Sequence, residues 1–330
     1  MTDRPQHPAA RTVLGIAASA LALLSVLSCE MVPDPGQSAV DRGEARKLTT
    51  GEPLPAPPIA ADKRAGLEAQ LDAARARLAA APGDAEALIG YGRRLGYVGR
   101  FREAADVFTQ GIERHPDDAR LWRFRGHRWI TLRQFDRAIA DLDRAAALIA
   151  GEPDEVEPAG TPNARGIDLD TLHENVFYHL ALAHYLRGEW GPAAENWRRC
   201  RDVARNADGV CMASYWLAMA LARAGRGGLA RAAVEPVRAD MDVVEYQAYH
   251  QLALVWKGER DGEQLLASTP PDGETAVDFA TIGYGVGCWH WCRGERDRAL
   301  QIWRQVEAGP MWHAFGHIAA EAELARLQRR

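Results

Sequence analysis

Cys288, Cys292, His313 and His317 are the residues whose types and spacing best suit chemistry, because each like pair is four residues apart. On a helix that spacing puts both side chains on one face. Two thiolates and two imidazoles could together complete a tetrahedral zinc site. The 20 residues between the pairs match no standard zinc finger, and His290 lies between the cysteines on the other face. The alternative is a polar helix face with two core thiols. His313-Ala314-Phe315-Gly316-His317 lacks the glutamate after its first histidine that a zinc-protease helix needs. Cys200 and Cys211 are candidates for a disulfide in an oxidising compartment, or else two free, partly buried thiols.

Other catalytic signatures are missing. The chain contains no Gly-x-Ser-x-Gly elbow and no Gly-x-x-x-x-Gly-Lys phosphate loop. Gly283, Gly285 and Gly287 form a Gly-x-Gly-x-Gly run, but it sits inside a helical pattern with no strand before it. Such a run lets a neighbouring helix approach closely. No enzymatic activity and no cofactor are expected.

The elements that carry these residues recur. Gly92 and Gly126 lie 34 residues apart, as do Phe101 and Phe135, Ala104 and Ala138, and Leu95 and Trp129. A period of this length marks one helical hairpin stacked on the next. In the unit Asp84 to Pro116, one helix carries Leu88, Tyr91, Gly92 and Leu95, a turn follows at Gly99, and a second helix carries Ala104, Phe108, Gly111 and Ile112. Large residues recur three or four apart, so each helix has one apolar stripe. Pro116 stops the hairpin, and Asp117 or Asp118 can cap the next helix.

These residues resemble the tetratricopeptide repeat. A second unit has Trp122, Gly126, Trp129, Phe135, Ala138, Leu142 and Ala145; a third has Phe177, Leu180, Ala181, His184, Gly188, Trp190, Ala193 and Trp197. The fourth, with Leu217, Ala218, Leu221, Gly225, Ala230 and Val234, puts Gly227 where an aromatic is expected and should pack loosely. Residues 244–268 resemble a degenerate fifth unit, and Gly287, Gly294, Ala299 and Trp303 mark a sixth. The resemblance implies an all-α fold, a right-handed α-solenoid of about six hairpins, capped by helices over 62–81 and 311–328. It also implies protein–protein interaction through the inner face, which the first helix of each hairpin lines. Arg93, Tyr97, Arg123 and His127 are placed there in the first two units, and Tyr178, Tyr185, Tyr215, Tyr284 and Trp291 in later ones. Tyrosine and arginine carry much of the binding energy in interfaces. Filling the space between adjacent helices is the other role open to the tyrosines. The Asn and Lys set that clamps a peptide carboxylate in some members of the family is not recognisable.

The N-terminus reads as an address. Arg4 and Arg11 precede an apolar run from Thr12 to Ser28 that is short for a spanning helix and suited to a signal peptide over 1–28. Val26-Leu27-Ser28-Cys29 resembles the lipobox of bacterial lipoproteins, which implies lipidation at Cys29. Residues 29–61 are Pro-rich and read as a disordered tether, with the repeat domain over 62–330. An irregular, acidic insertion at 151–168 is either a solvated loop or one that gates or extends the groove. The 330-residue chain carries a net charge of −5 and no basic run, which argues against nucleic acid as a partner. The expected function is a membrane-anchored, non-catalytic scaffold, attached to the outer membrane and facing the periplasm, that binds a protein or peptide. The alternative is a small-ligand or metal-binding envelope protein built on the Cys/His cluster with Tyr284 and Trp291.

Overall fold

The computed structural model describes residues 43–158, 160, 163 and 165–329. The signal-peptide segment, Cys29 and the first part of the tether lie outside them. Among the described residues no helix is long and apolar enough to cross a membrane.

The described residues form 14 α-helices: α1 (Ala61–Ala80), α2 (Ala85–Tyr97), α3 (Phe101–Arg114), α4 (Ala119–Thr131), α5 (Phe135–Leu148), α6 (Leu172–Arg187), α7 (Trp190–Val203), α8 (Ala207–Arg223), α9 (Gly227–Val234), α10 (Gln247–Lys257), α11 (Gly262–Ala267), α12 (Ala276–Cys292), α13 (Arg296–Glu307) and α14 (Phe315–Gln328). Consecutive helices pair as hairpins, α2 with α3 through α12 with α13, and each hairpin packs on its neighbours. The fold is therefore an all-α solenoid of six tetratricopeptide-like hairpins. Asp84, Asp118, Thr171, Asn206 and Asp261 cap helices by accepting from backbone N–H groups two or three residues on.

The periodic glycines are explained by close approach. A Cβ on Gly92 would meet the Phe108 ring, and one on Gly126, a repeat later, would meet Leu142. The Gly-x-Gly-x-Gly run works the same way: Gly283 faces Val306, Gly285 faces Leu252 and Tyr215, and Gly287 faces Trp303. The fourth hairpin is cut short, since α9 spans only eight residues. A surface depression of about 360 Å³, lined in part by Gly227, Ala230, Trp256 and Trp289, opens where its missing aromatic would sit.

Two features depart from the sequence expectation. The described part of the tether is folded rather than disordered. Residues 45–46 and 53–54 pair as antiparallel β1 and β2, with Ala45 and Leu54 buried. The Glu44 carboxylate accepts from the Arg102 backbone, Thr49 Oγ1 donates to Glu307 (2.5 Å), and the Leu48 N–H donates to Glu321. Two buried apolar side chains and these polar contacts outweigh the extended preference of the prolines.

The second departure is the terminal helix. Besides covering the last hairpin through α12 and α13, α14 reaches back to α6. Residues Gly316 to Ala325 are buried all round, which marks a helix inserted into the hollow of the solenoid rather than laid over its end. Its Glu321 takes Nε (3.1 Å) and Nη2 (2.6 Å) of Arg133, which sits in the turn between α4 and α5. Glycine with positive φ fills that turn position in the other five hairpins, at Gly99, Gly188, Gly225, Gly258 and Gly294. Arg133 adopts φ 63° there, a conformation that is costly for a residue with a Cβ. Its guanidinium also donates to the Thr131 and Trp312 carbonyls at 2.7 and 2.8 Å. Arg223 and Glu323 form a second buried pair, two residues on and so on the opposite side of α14.

Candidate functional site

With α14 and the insertion occupying much of the inner face, the space that remains is a cleft of about 410 Å³. Arg93 and Tyr97 come from one turn of α2, and Arg123, His127 and Arg128 from α4. Arg93 and His127 are 34 residues apart, so the repeat itself stacks them. Helix α6 contributes Glu174, Asn175, Tyr178 and His179; Tyr246 and Tyr249 come from the start of α10, and Phe315 opens α14.

The insertion forms the remaining wall. Val156 bridges to Thr171, and the Glu157 N–H donates to the Asp170 carbonyl at 3.0 Å. Arg93 donates to the Pro158 carbonyl at 2.7 Å and Arg94 to that of Gly160 at 3.1 Å. Glu157 is buried, with one oxygen 2.9 Å from Arg123 Nη2 and accepting from Asn175 Nδ2 at 2.5 Å. At Glu157 the insertion is therefore part of the inner face, not a solvated loop.

Burial dominates the electrostatics. His127 and His179, with ring centroids 4.4 Å apart, are held neutral well below the usual imidazole range, by burial and by the charges of Arg123 and Arg128. Burial also lowers Arg128 to about 10, and its guanidinium has no ion pair among the described residues. Burial, with Asp170, Asp154 and Asp208 close by, raises Glu174 to about 8, so its carboxyl is neutral at pH 7. Asp170 is likewise raised by burial, and it accepts the Tyr246 hydroxyl at 3.0 Å.

The sequence-selected residues divide into two groups. Arg93, Tyr97, Arg123, His127 and Tyr178 meet around the cleft. Tyr185, Tyr215 and Tyr284 do not lie on an open face, because the solenoid curls tightly enough to bury them. The Tyr284 hydroxyl donates to Tyr185 at 2.6 Å, and the Trp216 ring stacks on Tyr284. Trp291 packs against Trp303 and lies between Arg223 and Arg296, away from the cleft. The cleft residues not foreseen include Asn175 and His179. Their signal in the sequence was weak: polar side chains four apart on a helix that also carries His173, Glu174, His184 and Arg187, and that the structure buries on every side.

The cysteine and histidine proposals are not assembled. Cys200 and Cys211 are free and buried; the first thiol points at the Glu174 carbonyl (3.6 Å) and the second at the Met241 sulfur (3.7 Å). Cys288 lies against Tyr185, whereas His313 stacks on Phe101, a residue of the first hairpin. Burial lowers His313 to about 4 and His317 to about 3, with Arg133 adding to both. Among the described residues no group of three or more His, Cys, Asp or Glu is arranged to hold a metal ion.

No protein-family model matches the sequence, and no curated protein does either. Among solved structures, the chain is similar to YrrB, described as a TPR protein with an unusual peptide-binding site, at 15% identity over 78% of this chain and 98% of that one, with a TM-score of 0.42. It is similar to a tetratricopeptide repeat protein from Parabacteroides merdae at 13% identity over 80% and 94% of the two chains, with a TM-score of 0.46. It is also similar to MamA, at 17% identity over 61% and 90%, with a TM-score of 0.40. The assignment of the fold rests on the helix pairing itself.

Proposed function

We propose that the protein is a non-catalytic interaction scaffold of a bacterial cell envelope, removed from its signal peptide, lipidated at Cys29 and facing the periplasm from the outer membrane. It receives a short segment of a protein partner at the insertion-walled cleft, rather than a long peptide along an open groove. The observation that carries this reading is the convergence of Arg93, Tyr97, Arg123, His127 and Tyr178 on one cleft. Tyr97, at its mouth, remains 36% exposed. Large aromatic area beside fixed guanidinium donors is what interface anchors supply.

A photo-crosslinking side chain in place of Tyr97, activated in native envelopes, should capture a defined protein that the same probe in place of Leu229, exposed on the short α9, does not. Equal capture at both positions, or none at Tyr97, refutes the scaffold. The address is tested separately: a mature chain that begins at acylated Cys29 supports the anchor, and an intact Met1 removes it.

A further inference from the structure

Polar side chains lining the cleft carry buried atoms that lack partners. Arg123 Nε, Glu157 Oε1 and His179 Nε2 are buried without a hydrogen bond, on residues only 7%, 9% and 3% exposed. Each such atom costs about 1–3 kcal/mol when left unmade. Both carboxyl oxygens of Glu174, a residue 2% exposed, lack partners as well, so five orphaned atoms on four lining residues call for an occupant that satisfies them together.

Their identities specify its chemistry. Arg123 Nε is a donor and needs an acceptor. His179 places its Nδ1 2.6 Å from the Asn175 carbonyl, so Nδ1 carries the proton and Nε2 is left as an acceptor. Glu157 Oε1 is a second open acceptor. Because Arg123 and Glu157 are ion-paired to each other, the open donor and one open acceptor are neighbours. A group that presents an anion and a cation close together fits this pair, and Arg128, which has no ion pair among the described residues, adds to the anion's side. Beside the acidic Asp170, Glu174 and Glu245, the wall presents aromatic surface: Phe124, over which the Arg123 guanidinium lies at 4.3 Å, with Tyr178 and Phe315. The cleft's volume falls in the range of about 300–1,000 Å³ usual for small-molecule sites.

We infer that the cleft binds a free aromatic α-amino acid, its carboxylate on Arg123 and Arg128, its ammonium on Glu157 and His179, and its ring among Phe124, Tyr178 and Phe315. The inference shares its cleft with the scaffold reading but does not need a protein partner.

Isothermal titration of the purified full chain tests it with four probes: L-phenylalanine, 2-phenylethylamine (no carboxylate), 3-phenylpropionate (no amine) and N-acetyl-L-phenylalanine amide (neither charge). Phenylalanine should bind, and each of the others should be at least about tenfold weaker, equivalent to about 1.4 kcal/mol. Arg123→Lys, which keeps the charge but loses Nε, should weaken phenylalanine by a similar factor. Should that variant not fold, the wild-type series decides alone. No binding of phenylalanine at about 1 mM, or equal binding of any probe lacking one charge, overturns the inference. Binding of phenylalanine without crosslinking from Tyr97 would sink the scaffold and leave the amino-acid site standing, and the reverse pattern would do the opposite.

Discussion

Replacing Glu321 with alanine asks whether one buried ion pair holds the terminal helix inside the solenoid. Glu321 has no exposed surface, and the Arg133 side chain is only 3% exposed. The change removes the acceptor for two guanidinium N–H groups and for the Leu48 N–H, and leaves a buried cation that has only two backbone carbonyls. Breaking a buried pair on one side costs about 3–5 kcal/mol, because the remaining charge is uncompensated. Arg133→Gly should cost less, since glycine recovers about 1–2 kcal/mol of left-handed strain while Glu321 loses its partner. Removing both charges together, as Arg133→Gly with Glu321→Leu, should restore most of the loss, because an apolar replacement of a buried pair is often neutral. Urea unfolding of the parent, Glu321→Leu, Arg133→Gly and the double variant gives the cycle, with Glu321→Ala measured alongside. Hydrogen exchange in α14 and in the 43–54 strap should accelerate in Glu321→Ala before the rest of the chain responds. If Glu321→Ala unfolds within about 0.5 kcal/mol of the parent, the level of an ordinary surface change, or if the double variant is no better than the single, the pair does not hold the helix.

Glu174 makes stability depend on pH. Its folded value, raised from 4.5 to about 8 chiefly by burial, means the native state keeps a proton that the unfolded chain releases. Stability should therefore fall as pH rises from about 4.5 to about 8, by up to about 1.4 kcal/mol per unit of displacement, and then level off. Glu174→Gln should flatten that slope in urea melts at several pH values, and an unchanged slope would show that the carboxyl is not held neutral. Gly126→Ala should cost about 1–3 kcal/mol, because its new Cβ meets Leu142 within a packed hairpin, whereas Gly66→Ala, on α1 beside open space, should cost nothing and stabilise by about 0.5–1 kcal/mol through helix propensity. Equal losses in thermal melts of the two variants would contradict the packing explanation of the repeat glycines.

Local chemistry by itself determined the hairpins. A stripe every three or four residues, a small residue opposite a large one at a 34-residue interval, an acidic cap and a turn glycine are all satisfied within one hairpin or between neighbours. The first two units were legible for that reason, as were the cleft residues Arg93 and His127, which the period alone stacks. How tightly the solenoid curls was decided only in three dimensions, because curvature sums small rotations over many interfaces and leaves no mark at any one position. That curl buries Tyr185, Tyr215 and Tyr284 and separates Cys288 from His313. The inward turn of α14 depends on an arginine and a glutamate 188 residues apart. An ion pair of that separation has no periodicity to betray it, and Arg133, in the turn position that glycine fills in the other five hairpins, became meaningful only once its partner was in view.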